Sequence, residues 1–372
     1  MNILIKKIPF IGIIFLVIIT YASSKVIAPS DHTKRDNSHW KNSGDPYWID
    51  ACHPYWIDTH RNSTNINRCK DKDEIIFLNI HQNQATGDAI IIQSKGKYAM
   101  IDVGKPTTYS EIKKFMNKRE INHFDWVLLT HFHGDHYGGL TKLLNETKVK
   151  VDKVYTKKYF ALDINCIKNT TKITQEKKWE KMIQKIEEKS AVSYIDDEGI
   201  IGLKLGNYQF RLFNTKQAFV PDYIDYCIVN CCDENVNSLV VTARNIVSNK
   251  FYYLAGDIQL YPPLLKDARK KNPLSKWAEE AKKFYGIDHF NVYKASHHGI
   301  INPLGRGENN NIDILKSVKP VVCIVTTSAG AKGWVYNKKY YNMANLIEDA
   351  KKENIRFELK ITGANGDIIE KD

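Results

Sequence analysis

The chain has 372 residues, of which 43% are hydrophobic and 26% are charged. A chain of this length and composition buries one large core, so the class of small domains that need a metal ion in order to fold is excluded. The formal net charge of +12 favours polyanionic partners such as nucleic acid, phosphorylated lipid surfaces or acidic glycans, unless it reflects only lysine-rich codon usage.

The N-terminus predicts a secretory signal peptide over residues 1–24. Lys6 and Lys7 precede an almost unbroken apolar run at residues 8–21, and this run is shorter than the roughly 20 apolar residues of a membrane span. Small residues follow, and cleavage is expected near residues 22–25. The alternative is an uncleaved membrane anchor. The protein is therefore expected to be secreted or extracytoplasmic, with no stable membrane span after cleavage.

Residues 25–72 are predicted to form a polar N-terminal segment that contains a short aromatic repeat. The unit Pro-Tyr-Trp-Ile-Asp occurs at residues 46–50 and again at residues 54–58. Two copies are too few for a solenoid. The aromatic rings either stack on a base or a sugar, or pack across the outside of the domain that follows.

From residue 73 to residue 372 the hydrophobic pattern is regular and predicts one domain. Strands are predicted at residues 75–80, 89–93, 98–102, 126–129, 151–155, 200–205, 209–213, 239–242, 251–255, 291–294, 321–325 and 357–361. Helices are predicted at residues 109–118, 140–145, 174–189, 273–285, 311–317 and 340–352. Hairpin strands come first and then alternate with helices, an order that suits two packed sheets with helices outside.

The most informative stretch is Thr-His-Phe-His-Gly-Asp-His at residues 130–136, which contains four strong metal ligands in the pattern H-x-H-x-D-H. The four are His131, His133, Asp135 and His136. The first two histidines, at i and i+2, point the same way from an extended backbone and can bind one ion. The aspartate and the last histidine follow a glycine and can face a second ion. A buried strand over residues 124–129 precedes this cluster, and α/β enzymes place their chemistry at such strand ends.

Three further predicted strand ends, one before the cluster and two after it, also carry polar side chains. Asp102 lies in Ile-Asp-Val-Gly, Asp257 in Leu-Ala-Gly-Asp, and His297 and His298 in Lys-Ala-Ser-His-His-Gly. Each alone is typical of a turn or a cap residue. Together with the H-x-H-x-D-H cluster, however, they follow the motif order of the superfamily that they resemble, and that resemblance favours a metal site.

These motifs resemble the signature of the metallo-β-lactamase superfamily from about residue 73 to the C-terminus. The resemblance implies a mixed α/β fold, a four-layer αββα sandwich, and a hydrolase with two divalent ions, Zn²⁺ or Mn²⁺. The metal ligands that it implies are His131, His133, Asp135, His136, Asp257 and one of the pair His297 and His298. Asp135 and Asp257 are also the catalytic candidates, and Asp102 is expected to orient a ligand or its loop.

One feature departs from the superfamily pattern. Members commonly supply another histidine to the first ion, but this sequence has no histidine between Tyr137 and Asp288. An oxygen-richer ligand set would shift the metal preference from Zn²⁺ toward Mn²⁺ or Mg²⁺. The candidates for the missing ligand are Asn237, Cys227, Cys231, Cys232, Asp222, Asp225 and water.

This chain is similar to the hydrolase domain of the ComEC/Rec2 DNA-uptake group, including at the position of the absent histidine. The shared segments are Asn237-Ser238-Leu239-Val240, the Gly87-Asp88-Ala89 turn, the His-His-Gly motif and the Thr-Gly-x-x-Gly turn at residues 362–366. Residues 81–84 make the segment between the first predicted strand and the Gly-Asp turn longer than it is in the group. Ile300 stands where the group has serine. The resemblance covers only the hydrolase domain of the uptake proteins and not their channel domain, so we expect no role in DNA transport from it.

The sequence therefore predicts an exported metal-dependent phosphodiesterase or nuclease, in which water activated at a two-metal site attacks phosphorus. Nucleic acid or another phosphodiester is the expected partner, and no protein partner is indicated. The residues expected behind the ligands or against the substrate are Asp102, Asp88, Asn237, Ser238 and Lys294. The alternatives are a hydrolase of another ester or amide, such as a phosphocholine ester, a lactone or a β-lactam, and a non-enzymatic surface protein that keeps the fold.

Overall fold

The computed structural model describes residues 72–80, 87–158, 169–195, 202–215, 234–258, 273–301, 310–328 and 343–372. The predicted signal peptide and the aromatic repeat lie outside these residues and stay predictions. The described residues all fall within one unit, Asp50–Asp372. Among them, no helix combines the length and the apolar character that a membrane crossing requires.

A first sheet of seven described strands mixes antiparallel and parallel pairs. Its strands, in spatial order, are β16 (Ile368–Lys371), β1 (Glu74–Phe77), β2 (Ala89–Ser94), β3 (Lys97–Val103), β5 (Trp126–Leu128), β7 (Lys153–Lys157) and β8 (Ala191–Ile195). The strands from β16 to β3 pair antiparallel. From β3 through β5 and β7 to β8 the pairing is parallel.

A second sheet has the same number of described strands. Its strands, in spatial order, are β15 (Glu358–Ile361), β14 (Val322–Val325), β13 (Val292–Lys294), β12 (Phe251–Ala255), β11 (Val240–Asn245), β10 (Tyr208–Phe213) and β9 (Gly202–Leu205). The strands from β9 to β12 are antiparallel, and those from β12 to β15 are parallel. A separate two-stranded ladder joins β4 (His123–Phe124) to β6 (Lys150–Val151).

Helices cover the outer face of each sheet. The helices on the first sheet are α1 (Tyr109–Arg119), α2 (Leu140–Asn145) and α3 (Asn169–Glu187). Those on the second sheet are α4 (Pro273–Tyr285), α5 (Ile312–Val318) and α6 (Met343–Lys352). A single-turn helix, α7 (Thr362–Asn365), follows β15. The four layers confirm the predicted αββα sandwich.

The alternation of side chains along each strand explains why three cores form. In β1, Ile75 and Phe77 pack between the two sheets, whereas Ile76 packs under the helices of the first sheet. Strands that are buried on both faces read as continuous runs of branched apolar residues, as Ala-Ile-Ile-Ile in β2 does. Full burial of one such side chain contributes roughly 1.5–3 kcal/mol. Apolar burial between the sheets and under the helices is therefore a major contribution to the stability of the sandwich.

Several predicted boundaries are wrong. The strands expected at residues 124–129 and 151–155 are each split by an aspartate, because Asp125 N donates to Tyr98 O at 2.8 Å and Asp152 N donates to Phe124 O at 3.0 Å. Both aspartates leave the main sheet and connect it to the small ladder of β4 and β6. Strands β8 and β16 were absent from the prediction, and helix α3 begins at Asn169, five residues before its predicted start.

Buried polar groups close the far end of the sandwich, away from the strand ends that carry the motif residues. The Asp372 carboxylate accepts hydrogen bonds from the hydroxyl of Tyr208, from the hydroxyl of Tyr252 at 2.8 Å and from Asn245 Nδ2 at 3.3 Å. Burial, and then the charge of Asp372, raise the pKa of Tyr252 well above its usual range. Strands β10, β11 and β12 are thereby tied to the chain just after β16.

We expect Tyr252→Phe to lower the free energy of unfolding by about 1.5–3 kcal/mol, because it removes a hydrogen bond to a buried charged acceptor. Urea denaturation measures this loss. Tyr155→Phe is the matched control, since the Tyr155 hydroxyl has no hydrogen bond within the described structure. The substitution removes only this hydroxyl and keeps the aromatic ring. Equal stabilities for the two variants would contradict the role given to Asp372.

Candidate metal centre

The polar residues predicted at strand ends meet at one edge of the two sheets. The end of β3, the loops after β5, β12 and β13 and the residue before β2 all contribute to this edge. One potential ligand atom from each of four buried residues lies within 4.8 Å of the other three. The four residues are Asp88, His136, Asp257 and His298. Because strands from both sheets end here, distant parts of the sequence supply one compact group of donors.

Asp102 fixes the beginning of the histidine loop. Its Oδ1 accepts from Thr130 N at 2.8 Å, and its Oδ2 accepts from the Thr130 hydroxyl at 2.7 Å. Its Oδ2 also lies 2.7 Å from His136 Nδ1. Asp102 itself has a left-handed backbone, with φ of 57°, a conformation that a short polar side chain tolerates better than most. The structure thus places Asp102 behind both a candidate ligand and its loop.

The hydrogen bonds around His131 define which ring nitrogen carries the proton. Since the Thr130 hydroxyl donates to Asp102, its oxygen can only accept from His131 Nδ1, which lies 3.0 Å away. His131 Nε2 then carries a lone pair. Burial, and then the neighbouring His136, hold the pKa of His131 well below its ordinary value. His131 is therefore a neutral imidazole with its lone pair directed away from Thr130.

His136 lies between two carboxylates. Its Nδ1 faces Asp102, and its Nε2 lies 2.9 Å from Asp257 Oδ2. Burial lowers the pKa of His136, but the charges of Asp257 and Asp102 outweigh it and raise the pKa to about 10. The ring is fully buried. His136 Nε2 and the Asp257 carboxylate would both be able to hold a divalent cation.

The geometry favours His298 over His297 as the partner of His136. His298 is buried, and its Nε2 lies 3.2 Å from Asp257 Oδ2 and 3.5 Å from Asp135 Oδ2. His297 is more exposed, and its Nε2 is 4.0 Å from the same Asp257 oxygen. Both histidines have left-handed backbones, with φ of 48° and 54°. Strained backbone of this kind is held by its surroundings and is frequent at functional sites.

Asp88 and Lys294 form a buried ion pair at the rear of this group. Lys294 Nζ contacts Asp88 Oδ2, and the other Asp88 oxygen accepts from the Thr326 hydroxyl at 2.5 Å. Burial opposes the charged carboxylate, but the ammonium of Lys294 keeps the pKa of Asp88 well below its usual range. Lys294 is 1% exposed, so its ammonium faces Asp88 and Asp257 and not the protein surface.

The remaining predicted residues lie around the histidine loop. The rings of His131 and His133 have their centroids 4.8 Å apart. Ser238 Oγ accepts from Asp257 N at 2.9 Å and lies 3.4 Å from His131 Nδ1, so Ser238 lies on the side of His131 away from its lone pair. The Asn237 carbonyl accepts from Lys157 Nζ at 3.0 Å. The other candidates for the missing ligand lie at residues 222–232, outside the described residues.

Two residues that the sequence did not single out position the site. Asn310 is buried; its Oδ1 accepts from Ser296 N at 3.0 Å, and its Nδ2 donates to the carbonyls of Ser296 and Ile300 at 2.9 Å each. It therefore braces the turn that presents His298. Gly256 lies against Ser238 and Leu239 so closely that a Cβ atom would come within 2.1 Å of Ser238 Oγ. The lone asparagine gives no distinctive sequence signal, whereas Gly256 lies in the Leu-Ala-Gly-Asp segment, from which only the aspartate was expected at the site.

The residues present fit one or more divalent cations. Within the described part of the chain, His131 Nε2 and Asp257 Oδ1 are buried and form no hydrogen bond. Buried polar atoms are rarely left without a partner, so both atoms, which lie within the group of candidate ligands, are available to bind a cation. Imidazole nitrogen and carboxylate oxygen suit Zn²⁺ and Mn²⁺. The donor groups that would hold ions are His131, His133, Asp135, His136, Asp257 and His298.

Comparison with known proteins gives one family and several distant structures. Residues 84–164 match the family model of the Metallo-beta-lactamase superfamily. The metallo-beta-lactamase fold protein YhfI from Bacillus subtilis is 13% identical, with a TM-score of 0.47 over 81% of this chain and 100% of that one. Zn²⁺-bound PqqB from Methylobacterium extorquens is 10% identical, with a TM-score of 0.46 over 80% and 99% of the two chains. Unliganded yeast PDE1 is 10% identical, with a TM-score of 0.43 over 78% and 97%.

No curated protein sequence gives a significant match to this chain. The structural likenesses have TM-scores below 0.5 and say nothing about activity. The family match includes β2, β3, β5 and the whole H-x-H-x-D-H cluster. The matched segment and the two facing seven-stranded sheets with outer helices together support the metallo-beta-lactamase superfamily fold for this chain.

Proposed function

We propose that this protein is an exported metal-dependent hydrolase of phosphodiester bonds, with nucleic acid as its substrate. The observation that carries the proposal is the buried donor group around Asp257, in which His131 Nε2 and Asp257 Oδ1 have no hydrogen-bond partner among the described residues. Divalent ions bound there would supply Lewis acidity and lower the pKa of a bound water toward neutrality.

The chain's own residues prepare this chemistry. Asp257 is held at its backbone by Ser238 Oγ, and its carboxylate reaches both His136 and His298. Asp102 and Thr130 fix the ring of His136 and the tautomer of His131. These contacts preorganise the donors, so little reorganisation is required when a charged substrate binds. Asp135 is partly exposed at the rim, where a carboxylate can orient an attacking water.

Three features favour a phosphodiester over other esters. The formal charge of +12 attracts polyanions. The interval without histidine leaves the His131 and His133 side of the site poorer in nitrogen than in zinc β-lactamases. The Asn237-Ser238-Leu239-Val240 and Gly87-Asp88-Ala89 segments resemble the DNA-uptake group. Export rests on the apolar run at residues 8–21.

The direct test incubates the purified protein, loaded with Mn²⁺ or Zn²⁺, with single- and double-stranded DNA and RNA. We expect cleavage that is lost on chelation and restored by metal. His133→Ala is expected to abolish cleavage, whereas His289→Ala, at an exposed histidine paired with Asp288, keeps it. Hydrolysis of a lactone, β-lactam or phosphocholine ester without any cleavage of nucleic acid would overturn the proposed substrate. Absence of bound metal and of hydrolysis after reloading would favour a non-enzymatic surface protein.

A further inference from the structure

The two most deeply buried site histidines are each backed by a carboxylate. His136 Nδ1 lies 2.7 Å from Asp102 Oδ2, and His298 Nδ1 lies 3.3 Å from Asp88 Oδ1. Histidines that bind metal ions usually donate their other ring N–H to such a group, which fixes the ring and makes the nitrogen more basic. The two carboxylates differ in one respect, because Asp88 alone is paired with a buried ammonium, that of Lys294.

Asp88 belongs to the group of four buried donors, but its position relative to the His298 ring differs from that of the other carboxylates. Asp257 Oδ2 lies on the Nε2 side of both rings, 2.9 Å from His136 and 3.2 Å from His298. Asp135 Oδ2 also faces His298 Nε2, at 3.5 Å. Asp88 contacts the opposite edge of the His298 ring. Asp257 and Asp135 would therefore hold a cation together with His298 Nε2, whereas Asp88 contacts the other ring nitrogen of His298.

Both oxygens of Asp88 already have partners. Oδ1 accepts from the Thr326 hydroxyl and faces His298 Nδ1, while Oδ2 faces the Lys294 ammonium. Lys294 Nζ in turn lies 3.4 Å from Gly256 O and 3.8 Å from Asp257 Oδ1. A buried ammonium is costly unless it is paired, so Lys294 and Asp88 hold each other in place. The pair connects the Gly87-Asp88 turn to the strand end that presents His298.

We propose that Asp88 and Lys294 are a positioning pair that sets the affinity of the site for a divalent cation without binding the cation. Asp88 orients the His298 ring, and Lys294 keeps the Asp88 carboxylate directed at Nδ1 and away from the ion. The inference rests on the proposed metal centre but does not depend on the proposed substrate. It explains why the turn that contains Gly87 and Asp88 lies beside the histidine loop.

Metal binding by the full chain tests the pair directly. Equilibrium dialysis against stepped concentrations of free Mn²⁺, with bound metal read by mass spectrometry, gives both affinity and stoichiometry. We expect Asp88→Ala to weaken binding by about 10- to 100-fold, the range seen when such supporting partners are removed, with the same number of ions at saturation. Asp88→Asn keeps an acceptor for His298 Nδ1, so its loss should be smaller. Asp313→Asn on α5 is the control and should bind as the wild type does.

Stability and charge require their own controls. Asp88→Ala leaves a buried ammonium alone and Lys294→Met leaves a buried carboxylate alone, and either can weaken folding. The double variant Asp88→Asn/Lys294→Met removes both charges and is expected to bind Mn²⁺ as weakly as Asp88→Asn. Thermal unfolding with chelator present shows whether each variant is folded without metal. Unchanged affinity in folded Asp88→Ala overturns the pair, and fewer ions at saturation overturn it by making Asp88 a ligand. A wild-type protein that binds neither Mn²⁺ nor Zn²⁺ overturns the metal centre itself.

Discussion

Asp257→Asn is expected to lower kcat/KM for phosphodiester cleavage on the order of 10³-fold, which corresponds to about 4 kcal/mol of lost transition-state stabilisation. Asp257 is the carboxylate that contacts both His136 and His298, and its other oxygen has no hydrogen bond in the described structure. An amide has nearly the same shape but one neutral oxygen and one NH₂ group. It cannot supply anionic oxygens to the two cations that we propose, and its NH₂ group would repel them.

Asp257 is a buried partner of His136 and His298, and its loss removes charge compensation for both rings, so the folded fraction of the variant is measured by thermal unfolding first. Single-turnover cleavage rates and bound metal per chain are measured together for this variant. Asp288→Asn, at an exposed residue beside His289, is the matched control. Wild-type cleavage by metal-loaded Asp257→Asn would rule out Asp257 as the shared ligand.

The sequence predicted the layered architecture well because each strand carries its own pattern. The Ala-Ile-Ile-Ile run of β2 and the helical spacing of apolar residues in α4 are local patterns. They can therefore be recognised without tertiary contacts. Strand β16 could not be recognised in this way. Its Ile-Ile-Glu-Lys sequence is short, and it is a strand because it pairs with β1 at the edge of the first sheet.

The residues of the candidate site likewise fall into those that a local sequence pattern identifies and those that only the tertiary structure brings together. His131, His133, Asp135 and His136 share one loop, so their spacing already indicated a shared role. Asp88 and Lys294 are separated by about two hundred residues of sequence, and only the packing of the two sheets brings their charges into contact. Asn310 supports the His298 turn through hydrogen bonds to backbone atoms, for which no residue type is diagnostic.

Far from this site, a second buried ion pair joins α1 to β1. Arg119 Nη1 lies 3.1 Å from Glu74 Oε2, and both side chains are almost fully buried, at 3% and 0% exposure. In a buried pair the loss of one partner leaves an uncompensated charge, which typically costs about 3–5 kcal/mol. Replacement of both partners by neutral groups avoids that penalty. The geometry therefore predicts strong coupling between the two positions.

We expect Arg119→Met to lower the free energy of unfolding by about 3–5 kcal/mol, and the double variant Glu74→Gln/Arg119→Met to lower it by clearly less. Urea denaturation of the wild type, both single variants and the double variant gives the coupling energy. Lys113→Met is the matched control, since Lys113 is also on α1 but forms an exposed pair with Glu146 at 2.8 Å, where the expected loss is about 0–1 kcal/mol. If Arg119→Met and Lys113→Met were equally mild, α1 would be held to the first sheet by its apolar face alone, through Ile112, Phe115 and Met116.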